Sequence, residues 1–401
     1  MKIFLDALSR SPIVSIGTQA LILGSMYIIK RYISDVKFVF LSKFPEIEKH
    51  FLQEKGFNVD IRKRADSRYK TIFNIREIVR EVDAIVSAWG DGYISSEPQS
   101  LILKTFFLQS NDKPVILFPS SIGPFKYGWR TIVAKRGLLF FDHCIARDTI
   151  TYDYFQTMGL PNISLLPDTA FVLKPVSAKR KEEIFVKEDI PKDIKYIGLN
   201  ISQLLNVYYK ELSVNIDYID LMIELIIKLN DISKLPVILI PHQIFPPNYK
   251  YNRSVSSVGG DDRYAIRQIL EKIPNSCNIY ALLGQYSCYE YKRIIADSEI
   301  FIGGRMHSVI GAISEGVPAA LIQYSHKAPG VMKTVGLEKY VWPFDGDKSD
   351  FFNIIEKLWR DRTMIKDSLK LKIDKVKEDA WLSGAILIKY LQKYGKLKRN
   401  G

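Results

Sequence analysis

Cysteine is scarce in this sequence of 401 residues, which contains only Cys144, Cys277 and Cys288. An odd set without metal-ligand spacing argues against a disulfide framework and is typical of a reducing cytoplasm. The sequence also lacks a GxxxxGK[ST] loop, a GxGxxG turn after a strand, an HExxH pair and a cysteine–histidine cage. We therefore predict neither a metal nor a cofactor.

Long hydrophobic runs are also missing, apart from one uncharged stretch over residues 11–29. Its length is only about that of a membrane span, and Pro12, Gly17 and Gly24 interrupt it. Asp6 precedes the stretch, and no small-residue cleavage pattern follows it. This pattern favours a buried helix over a signal peptide or a membrane anchor.

Positive charge predominates, with a net charge of +13 and a pI of about 9.3. Such a charge favours an anionic partner, although a lysine-rich genome would produce the same bias. The basic tracts are interleaved with acidic residues, and no nucleic-acid motif is present. An anionic substrate, an anionic membrane surface or both therefore fit better than nucleic acid.

Short apolar strands alternate with helical patterns through most of the chain, which predicts an α/β fold with mostly parallel sheets. A charged, proline-containing segment at Lys174–Lys195 interrupts the alternation and is interpreted as an interdomain linker. The simplest architecture is two Rossmann-like domains facing a cleft. The predicted limits are 1–180 for an N-terminal, acceptor-side domain, 190–350 for a C-terminal, donor-side domain, and 351–401 for a helical region packing across both.

The stretch IFIGGRMHSVIGAISEGVPAALIQYSHKAPGVMKTVGL, residues 300–337, is the most informative part of the sequence. A strand ends at Gly303 and Gly304, and Arg305 and His307 follow on the first turn of a helix. The next strand ends in a loop that contains Ser325, His326 and Lys327. In a parallel sheet these residues meet at one edge, where helix N–H groups favour an anion. We predict a donor-binding site here, with His307 able to transfer a proton near neutral pH.

A glycine-flanked acid, Asp91, follows a predicted strand in the sequence Trp89-Gly90-Asp91-Gly92-Tyr93. Its carboxylate is suited to general-base catalysis or to binding a sugar hydroxyl, with a tight turn as the alternative. Trp89 and Tyr93 are predicted to bind the acceptor.

The loop Ser120–Phe125 is a second candidate for the acceptor site, through Ser121 and Gly123, although a plain turn fits equally well. His242 follows a strand of the second half and is a donor-site candidate, with a structural histidine as the alternative. Arg147-Asp148 and Pro167-Asp168 also follow strands, and we predict structural ion pairing for them.

In these motifs the chain resembles the polysaccharide pyruvyltransferase family. The resemblance is strongest in GGRMHSVIGAISEGVPAALIQYSHKAPGVMKTVGL and is supported by AWGDGY, PSSIGPF, ARDTITYDYFQTMGL, LLPDTAFVL, IGLNIS and IPHQI in the same order. It implies a two-domain fold of the GT-B type and transfer of pyruvate from phosphoenolpyruvate to two sugar hydroxyls as a ketal. It also implies that Arg305 contacts the donor phosphate or carboxylate, that His307 is the acid–base residue, and that Lys327 lies in a basic loop. Where some members carry an arginine after the first strand of the second domain, this chain has Gln203.

The resemblance thus implies a pyruvyltransferase acting on a cell-surface polysaccharide or on its lipid-linked precursor. Its expected partners are phosphoenolpyruvate and a sugar acceptor that is either free or polyprenyl-diphosphate-linked. A cytoplasmic location is expected, with peripheral contact at the anionic inner face of the plasma membrane if the acceptor is lipid-linked. Two alternatives stay open: a GT-B glycosyltransferase that uses a nucleotide sugar, and a non-catalytic scaffold protein in envelope assembly.

Overall fold

The computed structural model describes residues 1–7, 14–65, 67–90, 98–110, 112–125, 128–211, 216–245, 260–324 and 328–398. The chain divides into two compact units. The first comprises residues 1–12, 21–172 and 376–401, and the second comprises residues 13–20 and 173–375.

The first unit is built on a parallel sheet of seven strands, ordered β3-β2-β1-β4-β5-β6-β7. The strands are β1 Lys2–Asp6, β2 Lys37–Ser42, β3 Asn58–Lys63, β4 Ala84–Ser87, β5 Val115–Ser120, β6 His143–Ala146 and β7 Ile163–Leu165. Strand β1 pairs with both β2 and β4, so the direction of winding reverses between β1 and β4. In sheets of this kind, ligands bind outside the carboxyl ends of the strands at such a reversal.

Six helices accompany this sheet in the chain: α1 Ile16–Tyr32, α2 Pro45–Glu54, α3 Arg68–Glu81, α4 Pro98–Leu108, α5 Gly128–Leu138 and α6 Thr149–Thr157. The uncharged stretch near the N-terminus forms most of α1, where Ile22, Leu23 and Met26 are fully buried. It is therefore a core helix, as predicted. Among the helices of the described residues, none has the length and hydropathy needed to span a bilayer.

The second unit contains a parallel sheet of six strands, ordered β10-β9-β8-β11-β12-β13. The strands are β8 Ile197–Asn200, β9 Val237–Ile240, β10 Ile279–Ala281, β11 Phe301–Gly303, β12 Ala319–Gln323 and β13 Val341–Pro343. The winding reverses between β8 and β11, and the register there places Gly303 beside Asn200. The glycine turn predicted to carry the site thus lies at the switch point of this sheet.

The remaining helices are α7 Ala178–Lys187, α8 Gln203–Glu211, α9 Tyr218–Ser233, α10 Asp262–Lys272, α11 Cys288–Ala296, α12 Met306–Ile313, α13 Ala328–Val335 and α14 Lys348–Lys393. Helix α14 covers most of the predicted C-terminal helical region, 351–401, and ends at Lys393. Its residues up to 375 belong to the second unit, and those from 376 belong to the first.

The interpretation of Lys174–Lys195 as a linker was wrong. The segment contains α7, which the Ser177 side chain caps by accepting a bond from the Arg180 N–H at 3.3 Å. Ile184 and Phe185 on this helix are buried in the second unit. Its charged residues lie on the outer side of the amphipathic helix, which explains why the sequence resembles a linker.

Candidate active site

Asn200 ties together the chain segments at the switch point of the second sheet. Its Oδ1 accepts bonds from the Arg305 backbone N–H at 3.0 Å and from the Ser308 hydroxyl at 3.3 Å. Its Nδ2 donates to the Ile240 carbonyl at 2.9 Å. A buried amide therefore fixes the start of α12 relative to the ends of β8 and β9.

The turn from β11 into α12 requires both of its glycines. A Cβ at Gly303 would lie 2.6 Å from Val309 Cγ2, and one at Gly304 would lie 2.6 Å from Leu205 Cδ1. Real Cβ atoms essentially never approach other atoms this closely. The glycines let the chain turn tightly, so that Arg305 becomes the N-cap residue of α12.

Arg305 forms a buried ion pair with Asp262, which sequence analysis did not identify. Its Nη2 donates to Asp262 Oδ1 at 2.9 Å, and both residues are buried. Burial alone would lower the pKa of Arg305, but the Asp262 charge and hydrogen bond help to raise it above its ordinary value. Arg305 Nε is buried and has no hydrogen-bond partner among the described residues. The guanidinium is therefore charged and held in place, with donor capacity left over.

The Asp262 carboxylate also binds three backbone N–H groups. Gln203 donates to Oδ1 at 2.9 Å, while His242 and Gln243 donate to Oδ2 at 2.9 and 2.7 Å. Asp262 thereby joins the segments after β8 and β9 to the start of α12. The signal in the sequence was an acidic pair, Asp261-Asp262, at a helix start, which looks like ordinary capping.

Gln203 is the first residue of α8, directly after the end of β8 and the residues Ile201-Ser202. Its side-chain Oε1 accepts a bond from Asn206 Nδ2 at 3.1 Å, while its backbone donates to Asp262. An amide at this position adds no second positive charge beside Arg305.

His307 lies in the first turn of α12, and Gly17 packs directly against it. A Cβ at Gly17 would lie 2.8 Å from the imidazole Nδ1. Gly17 is positioned by the start of α1, where the Ile16 N–H donates to the His242 carbonyl at 3.1 Å and Ser15 forms a β-bridge with Gln243. This glycine, which sequence analysis did not assign to the site, leaves room for the imidazole.

His242 is a buried, neutral imidazole in the same part of the second unit. Burial, followed by the charges of His307 and Arg305, holds its pKa well below the ordinary value of 6.5. Neither of its ring nitrogens has a hydrogen-bond partner within the described part of the chain. The structure thus brings His242, Gly303, Gly304, Arg305 and His307 together in the second unit, and their binding of a donor stays a prediction.

In the first unit, Trp89 follows β4 at the carboxyl edge of the sheet. Its indole Nε1 donates to Asp6 Oδ2 at 2.8 Å, and the Ala88 N–H donates to the Asp6 carbonyl at 3.0 Å. Asp6 ends β1, so the Trp89 ring is fixed at the winding reversal of the first sheet. This position suits acceptor binding, which stays a prediction for Trp89.

Ser121 takes part in a buried polar network after β5. Its hydroxyl donates to Asp148 Oδ2 at 2.5 Å and accepts from Arg147 Nε at 2.7 Å. Gly123 has a φ of +57°, and a Cβ there would run into the Tyr154 ring. Both residues have structural roles in the loop after β5, and their contact with an acceptor stays a prediction.

Arg147 and Asp168 form the structural ion pair that was predicted. Arg147 Nη1 lies 2.8 Å from Asp168 Oδ2, and both side chains are fully buried. The pair connects the chain after β6 to the 3-10 turn at Thr169–Val172.

Four of the predicted site residues, Asp91, Tyr93, Ser325 and Lys327, lie outside the described residues, as does His326. Within the described ranges no group of three His, Cys, Asp or Glu side chains could hold a metal ion. The chemistry available from the described residues is therefore that of one guanidinium, two imidazoles and backbone donors.

The fold is of the GT-B type, with two parallel-sheet α/β domains, which confirms the predicted fold class. A putative UDP-N-acetylglucosamine 2-epimerase from Listeria monocytogenes is similar over 100% of this chain and 98% of its own, with a TM-score of 0.63 and 11% identity. Anabaena Alr3699/HepE, solved in complex with UDP-glucose, is similar over 98% of this chain and 99% of its own, with a TM-score of 0.61 and 12% identity. Identities this low show a shared fold.

The chain belongs to the polysaccharide pyruvyl transferase family, whose profile matches residues 16–326. This membership confirms the resemblance seen in the sequence. The amylovoran biosynthesis protein AmsJ of Erwinia amylovora is 21% identical over 277 residues. That alignment covers 65% of this chain and 61% of AmsJ, so the chain spans less than two thirds of that relative's length.

Proposed function

We propose that the protein transfers pyruvate from phosphoenolpyruvate to a sugar of a cell-surface polysaccharide, or of its lipid-linked precursor, as a ketal. The observation that carries this proposal is the buried Arg305–Asp262 pair at a glycine turn, with His307 and His242 beside it. Phosphoenolpyruvate has a carboxylate and a phosphate, roughly three negative charges near neutral pH. A fixed guanidinium with spare donors at a helix start suits such an anion.

The reaction begins when an acceptor hydroxyl oxygen attacks C2 of phosphoenolpyruvate while a proton is added to C3. His307 supplies this proton, and Asp91 takes the proton of the attacking hydroxyl. The phosphate then leaves C2 with its bonding electrons and takes the proton held by Asp91. A second sugar hydroxyl bonds to C2 and passes its proton to His307, which restores the acid. The products are the cyclic ketal and inorganic phosphate, so atoms and charges balance.

Arg305 and Lys327 bind the donor's charged groups and stabilise the departing phosphate. His242 stays neutral because of its burial, so it adds no positive charge and offers one hydrogen-bond donor and one acceptor. Trp89, Tyr93, Ser121 and Gly123 are the proposed acceptor side.

Thermal unfolding with phosphoenolpyruvate, compared with UDP-sugars, tests the donor. A ligand at about 100 times its dissociation constant stabilises the folded protein by about 2.7 kcal/mol. We expect phosphoenolpyruvate to stabilise the wild type and not Arg305→Ala or Arg305→Lys. The matched control is Arg360→Ala, which removes an exposed arginine from α14 and should leave the response intact. Stabilisation by a UDP-sugar alone would replace this proposal with glycosyl transfer.

Phosphate release in the presence of acceptor glycans tests the chemistry. His307→Gln should keep the stabilisation by phosphoenolpyruvate and lose turnover, because binding and proton transfer depend on different side chains. Full turnover in His307→Gln would exclude this residue as the proton donor. Full function of the wider pathway with that variant would support a non-catalytic scaffold.

A further inference from the structure

Five large apolar side chains are exposed on neighbouring helices of the first unit. They are Phe73 on α3, Phe106 on α4, Trp129 and Ile132 on α5, and Leu139 directly after α5. Their exposure ranges from 45% for Phe106 to 70% for Phe73. Helix α4 packs against both α3 and α5, so these residues, here called the aromatic face, lie on adjoining elements.

Helix α5 has an apolar outer side in addition to its core side. Ala134, Gly137 and Leu138 are buried, and a Cβ at Gly137 would lie 3.1 Å from Leu101 on α4. Trp129 and Ile132 are three residues apart and therefore share the opposite, exposed side. This outer side is not needed to pack the first unit.

Aromatic and cationic contacts connect the three helices at the surface. The Arg76 guanidinium of α3 lies 5.6 Å from the Phe106 ring centroid and 5.5 Å from that of Phe107. Phe106 in turn lies 6.1 Å from the ring of Phe140, next to Leu139. Phe73 is one helical turn before Arg76. The exposed surfaces of α3, α4 and the end of α5 are thus linked by contacts, and Trp129 and Ile132 lie on the exposed side of α5.

The charge of this surface is mainly positive. Helix α5 contains Arg130, Lys135 and Arg136 and no Asp or Glu. On α5, Arg136 is exposed and the Arg130 guanidinium lies 5.3 Å from the Trp129 ring centroid. On α3, Arg76 and Arg80 are exposed together with two acids, Glu77 and Glu81, of which Glu81 pairs with Arg62. Aromatic rings interleaved with basic side chains are characteristic of surfaces that enter the headgroup region of an anionic bilayer.

We propose that the aromatic face docks the first unit onto an anionic phospholipid bilayer. Trp129, Ile132 and Leu139 enter the interface, while Arg76, Arg130 and Arg136 meet acidic headgroups. Anionic headgroups complement the net positive charge of this surface, which is concentrated on α5, without requiring a partner of defined shape. The proposal goes beyond the transfer reaction, and its test does not depend on which donor the protein uses.

Co-sedimentation with vesicles tests the proposal directly. We expect the full-length protein to bind vesicles of 70% phosphatidylcholine and 30% phosphatidylglycerol, to bind pure phosphatidylcholine far less, and to be released by salt. Trp129→Ser/Ile132→Ser should reduce partitioning about tenfold or more. Arg136→Glu should reduce it by more than the roughly fivefold expected for losing one positive charge.

Matched control variants distinguish binding through the aromatic face from nonspecific adsorption of the protein to vesicles. Leu371→Ser removes an apolar side chain that is 86% exposed on α14. Lys192→Glu reverses an exposed charge in the second unit. Both should bind vesicles like the wild type, and thermal unfolding should show that all variants are folded.

Tryptophan fluorescence locates the contact. Brominated lipids should quench wild-type emission, and Trp129→Phe should lose most of that quenching while still binding vesicles. Absence of binding between the wild-type protein and anionic vesicles would overturn the proposal and would point to a protein partner for this face. Equal binding by Trp129→Ser/Ile132→Ser and wild type would overturn it as well.

Discussion

Asp262 holds Arg305 with one carboxylate oxygen and the loop after β9 with the other. Replacing Asp262 with Asn removes the negative charge and turns an NH2 group toward N–H donors. We expect Asp262→Asn to lower the free energy of unfolding by about 3 kcal/mol, because it leaves a buried cation without its partner. Phosphoenolpyruvate binding should weaken in parallel. Urea denaturation measures the first effect and ligand-induced stabilisation the second.

The matched control for that change is Asp220→Asn, which alters an exposed pair with Lys272. An exposed ion pair is worth about 0–1 kcal/mol, so this variant should behave almost like the wild type. Equal losses of unfolding free energy in the two variants would show that Asp262 does not hold the site together.

Enzyme activity should be as sensitive to substitution of Gly17 as to substitution of the predicted catalytic residues. In Gly17→Ala the new methyl group meets the His307 ring, which must move away. Because a displacement of about 1 Å can cost about 100-fold in rate, we expect a large loss of kcat with little change in donor binding. Gly311→Ala is the control, since its Cβ would meet only Ile295 Cδ1 at 3.7 Å. That variant should keep full activity; a Gly17→Ala enzyme with wild-type kcat would disprove the close fit.

Stability should decrease as the pH is lowered below about 6.5. Burial, followed by the charge of Lys389, lowers the pKa of His143 to about 4, and the pKa of His242 is also well below 6.5. At a pH between the ordinary histidine pKa of 6.5 and the lowered pKa of each folded-state histidine, the unfolded chain binds protons that the folded protein does not. Acid therefore favours unfolding. The loss of stability that is due to His143 is complete once the pH falls below about 4.

Thermal unfolding over this pH range, with His143→Gln, tests the assignment. The variant should show a shallower loss of stability between pH 6.5 and pH 4 than the wild type. His50→Gln, which alters an exposed histidine on α2, should leave the slope unchanged. A wild-type slope in His143→Gln would place the acid sensitivity elsewhere.

The Arg147–Asp168 pair should contribute strongly to the stability of the first unit when only one partner is removed. We expect Arg147→Met to cost about 3–5 kcal/mol, because Asp168 would stay buried without its cation. The double variant Arg147→Met/Asp168→Leu should recover part of this loss. Lys370→Ala, at an exposed pair with Asp367, should cost about 1 kcal/mol or less. Chemical denaturation of the four proteins checks these values.

Much of the fold could be predicted because buried parallel strands are short, apolar and separated by helical patterns. The sequence pattern predicts strands at His143–Ala146 and Ile279–Ala281 and a helix at Cys288–Ala296, and these are the limits of β6, β10 and α11. It predicts no strand at β1, β3 or β13. Lys2–Asp6 has no turn signal before it, and Asn58–Lys63 alternates the apolar Val59 and Ile61 with polar or charged residues because it lies at the edge of the sheet.

The candidate site could be predicted only where its residues are adjacent in sequence. Gly303, Gly304, Arg305 and His307 form one short motif at a strand end, and the structure keeps them together. Asp262 could not be found in this way, because its role depends on contacts with segments 20 to 59 residues away and with Arg305, 43 residues further on. Gly17 was missed for the same reason, since 290 residues of sequence separate it from His307.

The path of the chain limits how this protein can be dissected. Residues 13–20 belong to the second unit although the chain on both sides of them belongs to the first, and residues 376–401 return to the first unit. No single cut therefore yields two complete halves: a fragment starting at residue 173 would lack Gly17 and the Ser15–Gln243 bridge. Gene fusions or split-protein reporters would have to carry both segments with their proper partners, and natural recombination between relatives faces the same constraint.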